Sequence, residues 1–248
     1  MRYLIIPDIH LRWKIADDII KKEKGNYDKV LFLGDYMDDF GAIKEDYIDT
    51  SKWIKDNIYD SNMIFLLGNH DIAYYSHMKM FQNETSMYGC SGYYNGFKEA
   101  ISDILTLDEW RMFKLYYFIK DNILCTHAGF CNGLYESLNI ENIKDYLTEE
   151  GKIALNRIET NFMPIPITMA GASRGGRNRY GGITWCDYYK DYKPIRGLSQ
   201  IFGHTILHEP EYILYDGGVF TLALDTNSRD YAFYDDETNE VKIKKVTY

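Results

Sequence analysis

Three apolar runs early in the chain each stop abruptly at a cluster of polar groups: Ile5–His10 (IIPDIH), Leu31–Asp39 (LFLGDYMDD) and Phe65–Asp71 (FLLGNHD). Short runs this apolar read as strands buried on both faces, the kind that parallel sheets use. The carboxyl ends of parallel strands open into one crevice, where ligands bind. The rule sends Asp8, His10, Asp35, Asp38, Asn69, His70 and Asp71 to one place. Carboxylates gathered in a cleft repel one another and raise one another's pKa. A pair of divalent cations would relieve that repulsion.

The intervening segments support a parallel sheet. Leu11–Lys24 carries an apolar stripe of Leu11, Ile15 and Ile19, and Gly25 follows it, so a helix is expected there. Ile43, Tyr47, Thr50, Ile54 and Ile58 fall at helical spacing as well. With strands at Tyr3–Ile6, Val30–Leu33 and Met63–Leu67, the first seventy residues read βαβαβ, joined by right-handed crossovers. Beyond them, 73–96 is rich in Tyr, Met and Gly and reads as a loop with short helical pieces. Thr106 and Glu109 fit a capping box. Leu115–Lys120 and Ile123–Thr126 flank Asp121-Asn122 as a hairpin, and Glu141–Asn161 looks helical. The segment 163–182, with GASRGGRNRYGG, is either a mobile loop or part of a small cap. From Ile201 the chain becomes β-rich. Hairpins are expected at Tyr212–Tyr215 with Val219–Leu224, across Asp216-Gly217-Gly218, and at Tyr231–Tyr234 with Val241–Val246. No repeat or linker divides the 248 residues, so one domain over 1–248 is expected, with cap or specificity loops at 73–96 and 130–182.

Composition excludes more than it identifies. Twenty-eight Lys and Arg against 37 Asp and Glu give a net charge of −9, which disfavours long nucleic acid as a partner. The four cysteines form no CxxC pair, the start of the sequence enters a strand directly, and no apolar run reaches membrane length. Reduced thiols in a cytoplasmic protein, with no membrane partner, are the expectation.

Two further apolar runs end in the same manner, at Thr126-His127-Ala128-Gly129 and at Gly203-His204-Thr205. The ordered set is therefore D-x-H, G-D-x-x-D, G-N-H-D, T-H-A-G and G-H-T. Any one of them is a common turn. Together they hold four of the six histidines; the other two, His77 and His208, read as surface or supporting residues.

This ordered set resembles the calcineurin-like metallophosphoesterase superfamily. GDYMDD, GNHD, CTHAGF and FGHT resemble its phosphoprotein phosphatase branch, which includes bacterial and phage phosphatases and dinucleoside tetraphosphate hydrolases. The resemblance implies an α/β (α+β) fold, a two-sheet β-sandwich flanked by helices, with the β-rich tail supplying the second sheet. It implies a phosphoric ester hydrolase with two divalent ions, Mn first and Fe, Zn, Co or Ni as alternatives, since mixed N/O ligation suits these. Asp8 and His10 would bind the first ion, Asp35 would bridge, and Asn69, His127 and His204 would complete the second. Two ions roughly 3.5–4 Å apart hold a hydroxide for in-line attack on phosphorus. His70 would be the general acid, oriented by Asp71 or Asp38. The expected substrate is a phosphomonoester on a protein or small molecule. Phosphodiesters and dinucleoside polyphosphates are the alternative, and a non-catalytic scaffold on the same fold is a third reading.

Three departures from the branch matter. Its second motif usually continues as DRG, but Asp39 and Phe40 follow Asp38 here, so Arg174, Arg177, Arg179 and Arg196 become the candidates for phosphate binding. Ile206 stands where other branches carry a second His. Asp71 stands where the phosphatase branch usually has Glu, which shortens its reach toward His70.

Overall fold

The computed structural model describes residues 1–76, 86–131, 133 and 140–247. Two five-stranded mixed sheets stack with helices outside them. In chain order the elements are β1 (Arg2–Ile6), α1 (Trp13–Lys22), β2 (Lys29–Phe32), α2 (Lys44–Asn57), β3 (Met63–Phe65), α3 (Asn69–Tyr75), α4 (Lys98–Ser102), α5 (Leu107–Trp110), β4 (Tyr116–Lys120), β5 (Ile123–Thr126) and α6 (Ile140–Glu159). There follow β6 (Ser199–Phe202), β7 (Glu211–Leu214), β8 (Phe220–Ala223), β9 (Asp230–Asp235) and β10 (Glu240–Lys245).

The first sheet runs β10-β9-β1-β2-β3, with β1, β2 and β3 parallel in the register Ile5–Leu31–Ile64. The second runs β4-β5-β6-β8-β7, with β5, β6 and β8 parallel in the register Cys125–Ile201–Leu222. Successive side chains of a strand face opposite sides. Tyr3 and Ile5 therefore pack into the layer between the sheets with Leu31, Ile64, Ile123, Ile201 and Leu222. Leu4 and Ile6 turn outward to meet Ala16 and Ile19 of α1 and an aromatic group built from Phe32, Trp53, Phe65 and Trp110. Phe32 and Phe65 stack at 4.6 Å between ring centroids.

The predicted elements form with ends shifted by a few residues. The capping box is present: the Thr106 N–H donates to Glu109 Oε2 at 2.7 Å. The closing hairpin departs from expectation. It does not extend the second sheet; β9 pairs antiparallel with β1, in the register Ile5–Ala232, and so belongs to the first. The alternation of Tyr231–Tyr234 identifies a strand but not its partner, because pairing depends on which edge is free. The segment 163–182 holds two short 3-10 turns, Pro166–Thr168 and Ala172–Arg174. Parts of the two expected specificity loops, 77–85, 132 and 134–139, lie outside the described residues, and His77 with them. Among the described residues no helix is long and apolar enough to cross a membrane.

Candidate active site

Six parallel strands, three in each sheet, each deliver a polar side chain within a few residues of their carboxyl ends. These are Asp8 after β1, Asp35 after β2, Asn69 after β3, His127 after β5, His204 after β6 and Asp225 after β8. All lie at one end of the sandwich, and Asp8, Asp35, Asn69, His127 and Asp225 are buried.

His127 defines the character of the cluster. Its Nδ1 is 2.9 Å from the Leu33 carbonyl oxygen, which can only accept, so Nδ1 carries the proton. Nε2 then faces Asn69 Oδ1 at 3.1 Å, His204 Nδ1 at 3.0 Å and Asp35 Oδ2 at 3.3 Å. His10 repeats the pattern. Its Nδ1 donates toward the carbonyls of Asp38 at 2.7 Å and Met37 at 3.1 Å, leaving Nε2 3.8 Å from Asp35 Oδ2. A second partner that fixes the tautomer is how proteins prepare a histidine for a metal. The donor atoms fall into two groups, each with its atoms within 4.8 Å of one another: Asp35, His127 and His204, and Asp8, His10 and Asp35. Asp35 belongs to both.

The electrostatics show what such a cluster lacks. Burial, then the nearby Asp225 charge, pushes the Asp8 carboxyl well above its usual range. Burial pushes Asp35 the same way, but His127 and His70 outweigh it and hold that carboxyl far below its usual range. Burial alone would lower His127, yet Asp35 and Asp8 raise it to about 9. Burial and then the neighbouring His127 drive His204 well below its ordinary value, and its buried Nε2 has no hydrogen-bond partner among the described residues. The cluster requires positive charge at the place where several lone pairs converge. A proton on His127 supplies one unit, and divalent cations would supply more. The donors present fit such ions.

The backbone is shaped to the same end. His10, Asp35, Asp38 and His204 all take left-handed conformations, with φ of 40°, 52°, 65° and 69°. Such residues cost about 1–3 kcal/mol each and persist where the surroundings over-determine them. Gly68 and Gly203 are needed for close approach: a Cβ on Gly68 would strike Asp35 Oδ1, and one on Gly203 would strike Asp8 Oδ1.

Beside the cluster sits an Asp–His dyad. The His70 N–H donates to Asp35 Oδ1 at 3.0 Å, and its Nδ1 lies 2.8 Å from Asp38 Oδ2. The other Asp38 oxygen accepts from the hydroxyls of Tyr47 at 2.8 Å and Tyr74 at 2.6 Å. Asp38 is thus the carboxylate in contact with His70. Asp71 is occupied elsewhere, accepting backbone N–H groups from Asp35, Tyr36 and Gly68 at 2.8 Å each and from Met37 at 3.3 Å. It shapes the turn that carries Asp35 rather than touching the imidazole. As the third residue of α3, it reaches back to the amide of Gly68 and beyond it into the β2 turn.

Of the four candidate arginines, Arg174 is half-buried while Arg177, Arg179 and Arg196 are exposed. Arg174 Nη2 donates to the Thr205 hydroxyl at 2.9 Å, one residue past His204. Its Nε pairs with Asp187 at 2.9 Å, an ion pair in which the N–H is not aimed at the oxygen. The Arg179 guanidinium lies over the Tyr180 ring, 5.0 Å from its centroid. His208 is exposed.

Four residues at this site were not foreseen from the sequence: Asp225, Tyr47, Tyr74 and Cys90. Asp225 had a signal, because Val219–Leu224 is another apolar run that stops at a carboxylate. Tyr47 belongs to the helical stripe of α2 and reads as core. Tyr74 and Cys90 lie in a segment of weak pattern. Cys90 Sγ is 3.4 Å from His70 Nδ1.

A family model of calcineurin-like phosphoesterases matches residues 1–208. No curated protein matches the chain by sequence. Among solved structures, a cold-active protein-tyrosine phosphatase from Shewanella aligns at 12% identity with a TM-score of 0.58, covering 99% of this chain and 80% of that one. A protein serine/threonine phosphatase from Saccharomyces cerevisiae aligns at 12% identity and 0.51, covering 100% and 81%. A protein described as a candidate diadenosine tetraphosphatase aligns at 14% identity and 0.53, covering 99% and 94%. At these identities the structural likeness is one of fold.

Proposed function

The chain belongs to the calcineurin-like phosphoesterase family, and from that premise we propose that it is a phosphatase acting on phosphomonoesters, carried by protein or small molecules, at a centre of two divalent ions. The observation that carries this reading is the membership of Asp35 in both donor groups, with the His70–Asp38 dyad beside it and the backbone N–H of His70 bonded to Asp35. Asp8, His10 and Asp35 would hold one ion. Asp35, Asn69, His127 and His204 would hold the other. The N/O donor set suits Mn, with Fe, Zn, Co or Ni as alternatives. When bound, the ions supply Lewis acidity: they neutralise charge on the phosphoryl oxygens and activate water.

The chain's own groups do the rest. With Nδ1 bonded to Asp38, His70 has Nε2 left to give a proton to the leaving oxygen, and the Asp38 carboxylate stabilises the imidazolium beforehand. A general acid of this kind is typically worth about 10²–10⁴-fold. Tyr47 and Tyr74 hold Asp38 still. Asp71 acts at one remove, by fixing the turn from Asp35 to Met37. Arg174 would replace the arginine missing after Asp38: its guanidinium is held by Thr205, one residue past His204, and by Asp187, and Arg pairs with phosphate bidentately. The three exposed arginines are the outer phosphate contacts, if substrate extends that far.

The neighbours of like fold include a protein-tyrosine phosphatase, a protein serine/threonine phosphatase and a protein described as a candidate diadenosine tetraphosphatase, so anhydrides belong in the test. Mn-loaded protein would be offered para-nitrophenyl phosphate, its bis ester and a dinucleoside tetraphosphate, with His70→Ala as control. Faster turnover of the monoester, reduced in the variant, is expected. Preference for the diester or the anhydride would overturn the monoester reading. No turnover of any, with ions shown to be bound, would overturn hydrolysis and favour a binding scaffold.

A further inference from the structure

Cys90 brings a third kind of donor to the dyad. Its Sγ is 3.4 Å from His70 Nδ1, which is 2.8 Å from Asp38 Oδ2. The ligand atoms of Asp38, His70 and Cys90 all lie within 4.8 Å of one another. This group shares no residue with either of the donor groups that meet at Asp35. Its chemistry differs too: sulfur, nitrogen and oxygen, where the main cluster has only nitrogen and oxygen.

The loop that carries Cys90 is seated on the dyad. The Tyr93 N–H closes a turn on the Cys90 carbonyl at 3.2 Å, and the Tyr94 N–H donates to the Tyr74 hydroxyl at 3.3 Å. Gly92, at φ 92°, brings the backbone close enough that a Cβ there would lie 3.4 Å from the Asp38 Cβ and 3.7 Å from His70 Cε1. The thiol is therefore placed by backbone contacts in the residues that follow it. Asp38 is buried, but His70 and Cys90 are half-buried, so an ion can arrive from the cleft.

We propose that Asp38, His70 and Cys90 form a third, inhibitory metal site that takes a thiophilic divalent ion, zinc above all. Three protein donors with an open fourth position match the tetrahedral preference of zinc. A thiolate selects zinc over manganese or magnesium, whereas the main cluster's donors do not. On binding, the Cys90 thiol and His70 Nδ1 each release a proton to solvent, and Sγ, Nδ1 and Asp38 Oδ2 each donate a lone pair to the ion. His70 keeps a proton on Nε2 but loses its carboxylate partner to the metal. A dyad in that state is a poor acid for a leaving oxygen, so hydrolysis stops while the main centre stays filled. This inhibition rests on the role proposed for His70; the binding site itself does not.

The test separates the two. Mn-loaded full-length protein is titrated with Co²⁺ and its near-ultraviolet spectrum recorded. A thiolate-to-cobalt charge-transfer band can arise at the third group and not at the main cluster, which has no sulfur, and the other three cysteines are buried. The expected result is one equivalent of the band, lost in Cys90→Ser and in Cys90→Ala. The concentration of Zn²⁺ that halves phosphatase activity should rise at least about tenfold in the same variants, the loss that even an outer-shell partner gives. Absence of the band, or its persistence in both variants, overturns the site. A band with zinc inhibition unchanged by the variants overturns the inhibitory role. If the protein proves inactive on every phosphoester, the spectral result still decides whether the site exists.

Discussion

The Tyr74 hydroxyl donates to Asp38 Oδ1 at 2.6 Å, while the opposite oxygen of the same carboxylate faces His70 Nδ1 at 2.8 Å. Tyr47 adds a second bond to Oδ1 at 2.8 Å. A carboxylate held on one oxygen by two phenols cannot rotate, so the orientation of the imidazole is set from the helices behind it. Three consequences for the site and one for the scaffold can be measured.

The dyad should matter in proportion to how much the leaving group needs a proton. His70→Ala is expected to slow hydrolysis of phenyl phosphate by about 10²–10⁴-fold, and of 2,4-dinitrophenyl phosphate much less. Tyr74→Phe should show the same selectivity at smaller amplitude, with kcat affected more than KM. Equal losses on both substrates in Tyr74→Phe would mean that the hydroxyl only supports the fold.

Asp35→Asn should weaken both of the proposed metal positions together, because Asp35 Oδ2 faces both His127 and His10. Metal analysis after gel filtration is expected to give well under one equivalent per chain. Two full equivalents would rule out a bridging role.

Asp71→Ala should destabilise the protein more than any single loss at the metal cluster. It strips the acceptor from four backbone N–H groups, and each buried donor left unsatisfied costs about 1–3 kcal/mol. A fall in the urea midpoint equivalent to about 3 kcal/mol or more is expected, with Asp71→Asn retaining part of the stability. A midpoint within error of wild type would show that the turn is held by other means.

Away from the site, Glu23 gives stability a dependence on acid. Burial raises its pKa, but Lys244 at 2.8 Å and 2.9 Å, Tyr231 at 2.6 Å and Asn26 at 3.0 Å outweigh that and hold it at about 2, against an ordinary 4.5. A carboxyl depressed in the folded state stabilises the fold at every pH above its unfolded value. That contribution is lost as pH falls from about 4.5 toward about 2. Glu23→Gln should lower stability at neutral pH and flatten the acid limb in that window, read from urea melts across the range. An unchanged acid limb would assign the dependence to other groups.

Much of the site was legible because a strand end is both a pattern and a place. An apolar run that stops at Asp, His or Asn says that the side chain lies at the mouth of the sheet, whichever strands lie beside it. That reasoning reaches Asp8, Asp35, Asn69, His127 and His204, and it would have reached Asp225 had Leu222–Asp225 been read as a strand end rather than as one arm of a hairpin. It fails for Tyr47 and Tyr74, whose hydroxyls sit on side chains that periodicity can only assign to the core. The division of labour between Asp38 and Asp71 was also out of reach. Both carboxylates lie close to His70 in sequence or motif, and only the left-handed turn through Asp35 and Asp38 decides which one faces the imidazole. The strand β9 was legible as an element but not as a neighbour of β1, since edge pairing is a property of the assembled sheet.

The pairing of Ile5 with Ala232 also sets a clock. The strand that presents Asp8 is synthesised long before its antiparallel neighbour, which is made more than two hundred residues later. At roughly 5–20 residues per second the wait is on the order of ten to forty seconds. During that interval β1 has one flank open and the loop bearing Asp8 and His10 lacks its final support. The half-built cleft is held back from completion by translation itself, and a nascent chain stalled before residue 230 should be unable to hold metal however many of its ligands have already been made.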